Sequence, residues 1–143
     1  MPPVSNLTVY TPGITTAQHL LTMDGVEVRL LGGRLDDQWL ETVGTPREQG
    51  IENLVAHTLF LGVNGIDDDL DIVDHLAALG LSKAEYLRHA RRTFVLADAS
   101  KWRKAGATKI ASLAAVDVVI SDDELDPEIR EQITQLGTEV SIA

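Results

Sequence analysis

The chain alternates between short apolar runs and segments whose apolar residues return every three or four positions. Six of the short runs are rich in β-branched and other apolar residues and predict strands, several of them apolar on both faces. They are Leu7–Thr11, Val26–Leu31, Thr58–Val63, Thr93–Ala97, Val116–Ile120 and Glu139–Ile142. Strands that are buried on both faces are typical of a parallel sheet covered by helices.

Helix start signals stand between these runs. Thr45–Glu48 and Ser82–Glu85 both match the capping-box pattern, and the first is followed by an apolar face that includes Ile51. Asp126 begins a third helical stripe, which Gly137 ends. The alternation predicts an α/β fold: a mostly parallel, Rossmann-like, doubly wound sheet of about six strands with helices on both faces. Because we find no linker or repeat, we expect one domain.

The charge balance narrows the classes of function. The 143 residues carry 12 basic and 22 acidic side chains, for a formal net charge of −10. Since a protein that holds DNA needs a basic face, we expect no autonomous DNA binding. The absence of cysteine removes thiol catalysis and thiolate metal sites. With no leader-like start and no apolar run of roughly 18 residues, we expect a cytoplasmic chain without a membrane span.

Three polar segments follow predicted strands, at the edge where ligands bind in open α/β sheets. They are Thr11–Gly13, Asn64–Asp67 and Asp98–Lys101. The first can offer backbone N–H groups to an anion, but by itself it is better explained by a helix cap at Thr15 or Thr16. The second also fits an ordinary Asn-Gly turn in which the aspartate caps a following helix, and the lysine of the third also fits a solvated surface position.

Metal and cofactor signatures are absent from the sequence. Asp67, Asp69 and Asp71 alternate as in a calcium loop, but Ile72 and Ala78 stand where that loop needs glycine and glutamate. The acidic cluster formed by these aspartates with Asp68 and Asp74 is therefore predicted to be a solvated face at the start of a helix. The four histidines lack paired ligand spacing, and no P-loop, dinucleotide fingerprint or Gly-x-Ser-x-Gly elbow is present. We expect neither a metal nor a cofactor.

Two segments carry a resemblance to a known family. Phe60–Asp67 contains Leu-Gly-x-x-Gly-Ile-Asp, and Leu96–Trp102 contains Leu-Ala-Asp-x-Ser-Lys-aromatic. Together with Leu7–Thr11, Leu30–Gly33 and Lys83, in this order and spacing, they resemble the C-terminal sensor domain of DeoR-family transcriptional regulators. The resemblance runs from about residue 7 to the end of the chain.

The family is similar to ribose-5-phosphate isomerase but is non-catalytic, and its members sense phosphorylated sugars. The resemblance implies a sensor that is not an enzyme, binds a phosphorylated sugar or similar anionic small molecule, and forms a homo-oligomer within a repressor. It also implies that six residues line the effector pocket: Thr11, Gly13, Asn64, Asp67, Lys83 and Lys101. Lys83 and Lys101 would contact phosphate or hydroxyl groups, a role that suits their compact ammonium groups.

The chain departs from the family at three places. Thr11–Gly13 stands where Thr-Asn-Ser is usual, Asn64 stands where an aspartate is usual, and the phosphate loop and helix-turn-helix that precede the domain have no counterpart. We therefore expect residues 1–143 to be an N-terminally incomplete sensor domain, with DNA contacted only through an absent N-terminal domain. Two alternatives stay open: an isomerase-like enzyme, which needs a carboxylate base where Asn64 stands, and an oligomerisation domain that has lost its ligand.

Overall fold

The computed structural model describes residues 5–143, which fall into two compact units that divide between Leu54 and Val55. The first unit contains strands β1 (Leu7–Thr11), β2 (Val26–Leu30), β3 (Arg34–Asp36) and β4 (Glu41–Val43), and helices α1 (Ile14–Leu20) and α2 (Pro46–Gln49). β1 and β2 pair in parallel, with Thr11 opposite Leu30. β3 and β4 form an antiparallel hairpin that the sequence did not predict, because three-residue strands are too short to show a period.

The capping box at the start of α2 is confirmed. The Thr45 hydroxyl accepts the backbone N–H of Glu48 at 3.3 Å, and the Glu48 carboxylate accepts the backbone N–H of Thr45 at 2.8 Å. The helix nevertheless ends after four residues, because Gly50 adopts a left-handed conformation with φ of 74°. The expected helical face that includes Ile51 is therefore wrong, although Ile51 itself is buried.

The second unit is built on a parallel sheet. Its strands are β5 (Ala56–Gly62), β8 (Ala90–Leu96), β10 (Val118–Ser121) and β11 (Glu139–Ile142), and they lie side by side in chain order. Helices α3 (Ala77–Arg88) and α4 (Pro127–Gln135) flank this sheet. All six predicted strands are present and pair in parallel, so the prediction of a mostly parallel, Rossmann-like α/β fold is confirmed.

The segments that connect the parallel strands form a separate three-stranded antiparallel sheet, which we call the inserted sheet. It consists of β6 (Gly65–Ile66), β7 (Asp71–Asp74) and β9 (Thr108–Ser112), in the order β6-β7-β9. The acidic segment therefore lies in a turn and a strand, and the prediction that it forms a solvated helix face is wrong. Its apolar residues Ile72 and Val73 are buried, which favours a strand over a solvated helix start.

The ends of α3 and α4 differ in how well the sequence predicted them. α4 begins at the predicted cap, where the Asp126 carboxylate accepts the backbone N–H of Glu128 at 2.9 Å, and Gly137 follows its end with φ of 86°. α3 begins at Ala77, five residues before the predicted capping box at Ser82–Glu85. That box is wrong because Ser82 is buried inside the helix, where Leu79 and Gly80 are buried beside it.

The core of the second unit lies between the parallel sheet, the inserted sheet and α4. Its fully buried side chains come from all three: Val95 and Val119 from the parallel strands, Ile72 from β7 and Ile133 from α4. Complete burial of such a side chain contributes roughly 1.5–3 kcal/mol relative to an exposed position.

Among the helices of residues 5–143, none has the length and apolar character that a membrane-spanning helix needs.

Candidate functional site

Three parallel strands of the second unit end at the same level. Gly62 of β5 lies opposite Leu96 of β8, which in turn lies opposite Ile120 of β10. Two residues beyond each of these positions stands a polar side chain: Asn64, Asp98 and Asp122. Of the three loops predicted to converge at one edge, those after β5 and β8 do leave one edge of the sheet, and convergence of the loop after β1 stays a prediction. This carboxyl edge is the usual place for a ligand in an open parallel sheet.

A buried carboxylate organises the loop after β5. The Asp74 carboxylate accepts the Asn64 side-chain amide and the Lys83 ammonium, both at 3.0 Å, on its Oδ2 atom. Its Oδ1 atom accepts the backbone N–H of Leu76, also at 3.0 Å. We call Asn64, Asp74 and Lys83 the Asp74 network. It joins two of the predicted effector residues through a third residue that was expected to lie in solvent.

The electrostatics of the Asp74 network follow from burial and pairing. The Asp74 side chain is 0% exposed and that of Lys83 is 13% exposed. Burial alone would raise the pKa of the Asp74 carboxyl, but the Leu76 N–H, the Lys83 ammonium and the Asn64 amide together hold that pKa below its ordinary value. Asp74 therefore carries its negative charge at neutral pH, next to the positive charge of Lys83.

Asp67 shapes the turn between β6 and β7. Its carboxylate accepts the backbone N–H groups of Asp69 at 3.0 Å and Asp71 at 2.9 Å. The alternative in which Asp67 caps a following helix is wrong, because β7 follows the turn. A small cleft lies between this turn and α4, and Asp67, Trp102 and Gln132 line it. The Trp102 indole N–H is buried without a hydrogen-bond partner among residues 5–143.

Lys101 lies in the short turn that follows β8, a single 3₁₀ turn over Ala99–Lys101. We call Asp98–Lys101 the Lys101 turn. The Asp98 carboxylate accepts the backbone N–H of Ser100 at 2.8 Å, and hydrogen bonding to Ser100, with a smaller contribution from the charge of Lys101, holds the pKa of Asp98 below its ordinary value. The Asp122 carboxylate accepts the N–H of Ala99 at 3.1 Å, which ties the turn to the end of β10. In the described part of the chain, no carboxylate lies within ion-pair distance of the Lys101 ammonium.

Thr11 and Gly13 form a compact turn in the first unit. The Thr11 hydroxyl, which is buried, accepts the backbone N–H of Gly13 at 3.1 Å. Gly13 is the N-terminal cap of the seven-residue helix α1, which has no side-chain cap. The alternative in which Thr15 or Thr16 caps this helix is therefore wrong. An effector role for Thr11 and Gly13 stays a prediction.

The structure brings some of the predicted site residues together. Asn64 and Lys83 meet at Asp74, and the loops that carry Asn64 and Lys101 leave adjacent strand ends. That Lys83 and Lys101 share one anion stays a prediction, and the Lys83 ammonium is bound to Asp74. Across residues 5–143, His, Asp and Glu side chains form no group of three suited to a metal ion.

Three carboxylates near this edge, Asp74, Asp98 and Asp122, were not among the predicted effector residues. Asp98 and Asp122 had a usable signal, since each stands shortly beyond the end of a predicted strand. Asp74 had a weaker one. It closes the run Ile72-Val73-Asp74, whose two β-branched residues favour a strand, but four neighbouring aspartates masked that run.

The chain is similar to a sensor-domain family and to parts of proteins named as transcriptional regulators. The family model "DeoR C terminal sensor domain" matches residues 1–123. The chain is 30% identical over 130 residues to a putative aga operon transcriptional repressor of Escherichia coli O157:H7, covering 91% of the chain and 48% of that protein. It is 30% identical over 131 residues to the HTH-type transcriptional regulator GlpR of Haloferax volcanii, covering 90% and 51%.

A third relative is the glycerol-3-phosphate regulon repressor of Escherichia coli, 24% identical over 118 residues, which cover 82% of the chain and 47% of that protein. The chain thus spans about half the length of the curated relatives it matches. The names of these relatives are those of regulators, and the family is described as a sensor, not as an enzyme. The chain belongs to the family of DeoR C-terminal sensor domains.

Proposed function

We propose that this domain senses a phosphorylated sugar or polyol at the carboxyl edge of its parallel sheet and transmits binding to a transcriptional regulator. The observation that carries the proposal is the pair of polar loops that follow the adjacent ends of β5 and β8, one with Asn64 and the other with Lys101. In this proposal the Lys101 ammonium contacts the phosphate, and Asn64, Asp67 and Lys83 lie on the side of the remaining effector groups. The resemblance also assigns Thr11 and Gly13, in the first unit, to effector binding.

Lys101 suits a phosphate because its charge is available. Its ammonium has no carboxylate within ion-pair distance in the described residues, and Asp98, the nearest acidic group in sequence, bonds to the backbone of Ser100 and attracts Lys101 only at longer range. A charge-assisted hydrogen bond from an ammonium to phosphate is about twice as strong as a neutral one. The name of the glycerol-3-phosphate regulon repressor supports a phosphorylated polyol as the effector class.

The proposal extends to the chain's partners. Because the net charge is −10, we propose that DNA is contacted by another segment of a longer regulator and not by this domain. We also propose a cytoplasmic homo-oligomer. Phe60 and Leu96, which are 63% and 42% exposed, support self-association: Phe60 lies opposite Phe94, so all three lie on one face of the sheet.

The proposal is tested by titrating the chain with glycerol 3-phosphate and a panel of hexose phosphates, followed by amide NMR spectra, which detect weak binding. Replacing Lys101 with Ala should lower affinity about ten- to a hundredfold, the equivalent of about 1.5–3 kcal/mol for a hydrogen bond to a charged group. Arg91→Ala is the matched control, because it removes one exposed cation near the amino end of the same strand, β8.

We expect Arg91→Ala to leave affinity within about twofold of the unsubstituted chain, since its charge lies at the far end of the strand and is screened by salt. Equal losses for the two variants would show that only net charge matters. An unchanged affinity for Lys101→Ala would remove Lys101 from the site. A gel-shift assay at low salt tests DNA binding, and we expect no retardation. Sedimentation velocity tests separately whether the chain forms an oligomer.

A further inference from the structure

We propose that Asp74 determines which group of the effector binds to Asn64 and Lys83 and which binds to Lys101. It holds the Lys83 ammonium and the Asn64 amide in place for hydroxyl groups and cancels the charge of Lys83, so that the phosphate is left to Lys101. This inference rests on the proposed function, because it assumes that the same edge binds the effector. It assigns a role to a residue outside the predicted effector set.

Asp74 acts through its neighbours and does not touch the effector itself. Its side chain is 0% exposed, and its two oxygens are occupied by donors from Asn64, Lys83 and the backbone of Leu76. A carboxylate with three such bonds is fixed in one orientation, and it fixes the two side chains bound to its Oδ2 atom. Asp74 is therefore a positioning residue.

The groups that Asp74 positions match a hydroxyl. An ammonium has three protons and a side-chain amide has two protons and a carbonyl oxygen. Lys83 uses one proton on Asp74, and so does Asn64, which leaves donors on both and the amide oxygen as an acceptor. A hydroxyl both donates and accepts, so it can bond to each. A fully ionised phosphate oxygen only accepts, and the amide oxygen offers it nothing.

The charge of the Asp74 network also favours a hydroxyl over a phosphate. The Lys83 ammonium lies 3.0 Å from the Asp74 carboxylate, so the pair presents no net charge to an approaching anion. A phosphate close to Lys83 would also be close to the negative charge of Asp74, in a partly buried setting where water screens little. The Lys101 ammonium makes no ion pair within 4.0 Å in the described residues and acts on the exposed Asp98 carboxylate only at longer range, so its positive charge is less neutralised than that of Lys83.

The test compares inorganic phosphate with glycerol 3-phosphate on the same chain by amide NMR titration. Inorganic phosphate should shift the amides of the Lys101 turn and leave those of Asn64 and Lys83 unchanged. Glycerol 3-phosphate should shift both groups, because it adds hydroxyls to the phosphate. This first arm needs no substitution, so it decides the proposal even if a variant fails to fold. Inorganic phosphate at Lys83 in the unsubstituted chain would overturn it.

The second arm uses Asp74→Asn, which keeps the shape of the side chain and removes its charge. With Lys83 no longer neutralised, inorganic phosphate should now also shift the Lys83 amide, and its affinity should rise about tenfold. The double variant Asp74→Asn, Lys83→Met should lose this gain. Asp69→Asn is the matched control, since it removes one exposed carboxylate from the same segment, and should change phosphate affinity by no more than about twofold.

The outcomes separate the two proposals. If neither ligand binds the unsubstituted chain, the proposed function fails, while a Lys83-dependent gain in Asp74→Asn would still support the role of Asp74 in cancelling charge. If glycerol 3-phosphate binds but Asp74→Asn shows no gain, the proposed function stands and the assignment to Asp74 is wrong. The assignment is also wrong if the gain survives in the double variant or appears equally in Asp69→Asn.

Discussion

The Asp74 network and the Lys101 turn lie at the same edge of one sheet but treat their charges differently. In the first, a buried carboxylate binds a nearly buried ammonium at 3.0 Å. In the second, the carboxylate of Asp98 is exposed and bonds to the backbone, and it attracts the Lys101 ammonium only beyond ion-pair distance. Both pairs combine an aspartate and a lysine, so residue type alone does not distinguish them.

The difference shows that position decides what a lysine at this edge can do. Taking the charge of Lys83 out of water has a large desolvation cost that only a buried counter-ion offsets, which is why Asp74 accompanies it. Lys101 remains in partial contact with water and needs no such partner. A buried pair fixes geometry and a free ammonium supplies charge, and the proposed division of the effector between hydroxyl and phosphate follows from this contrast.

The largest effect that we expect from breaking the comparison is on stability. Replacing Asp74 with Ala leaves the Lys83 ammonium unpaired in a nearly buried site and should lower the free energy of unfolding by about 3–5 kcal/mol. Asp69→Ala removes an exposed carboxylate from the same segment and should change it by less than about 0.5 kcal/mol. Urea unfolding followed by circular dichroism measures both, and similar losses would contradict the burial argument.

A second prediction compares two glycines that flank the end of β5. A β-carbon at Gly65 would lie 2.7 Å from the β-carbon of Lys104, whose backbone N–H is bound to Ile66. Gly65→Ala should therefore cost about 1–3 kcal/mol of unfolding free energy, as overpacking does. Gly62 has nothing within 4 Å of such a β-carbon, so Gly62→Ala should be tolerated. Thermal unfolding of the two variants gives the comparison, and a larger loss at Gly62 would contradict it.

The sequence was sufficient for the parallel framework and insufficient for the inserted sheet. The strand Glu139–Ile142 was predicted to the residue, because alternation of polar and apolar residues just after a glycine turn is a strong local pattern. β6 and β7 were missed because one has two residues and the other lies among aspartates whose helix-dipole interpretation was reasonable from local rules. Tertiary pairing of β7 with β9, which is distant in sequence, overrode that interpretation.

The candidate site shows the same division between local and distant information. Asn64, Lys83 and Lys101 came from the resemblance to the DeoR sensor domain, which rests on short motifs that can be read along the chain. The role of Asp74 came only from the fold, because its partners lie ten residues before it and nine residues after it, on different elements. The predicted capping box at Ser82 placed Lys83 in the first turn of a helix. In the structure Lys83 lies in the middle of α3, where its side chain reaches Asp74 of β7.

A third prediction concerns acid. The pKa of Asp74 is lower in the folded state than in the unfolded state, where it is about 3.9. The carboxylate therefore stabilises the fold fully at pH values above the unfolded-state pKa, and this contribution is lost as the pH falls through the folded-state pKa. Asp74→Asn should therefore lose less stability than the unsubstituted chain between about pH 5 and pH 2. Some acid dependence should remain, because the pKa values of Glu48 and Asp98 are also lowered. Urea midpoints across this range, with Asp69→Asn as the control, measure the effect.

The smallest effect that we expect is a different response of the Asp74 network and the Lys101 turn to salt concentration. At about 0.1 M salt charges interact over about 10 Å in water and at about 1 M over about 3 Å, whereas buried pairs are screened much less. The affinity of phosphate for the Lys101 turn should therefore fall severalfold between these concentrations of sodium chloride. The stability difference between the unsubstituted chain and Asp74→Asn should change by less than about 0.5 kcal/mol over the same range, because water does not reach the Asp74 carboxylate. Using a difference between two variants cancels the general effect of salt on folding. If this difference shrank as steeply as the phosphate affinity, the Asp74–Lys83 pair would behave as a solvated surface pair, and the contrast between the two loops would be lost.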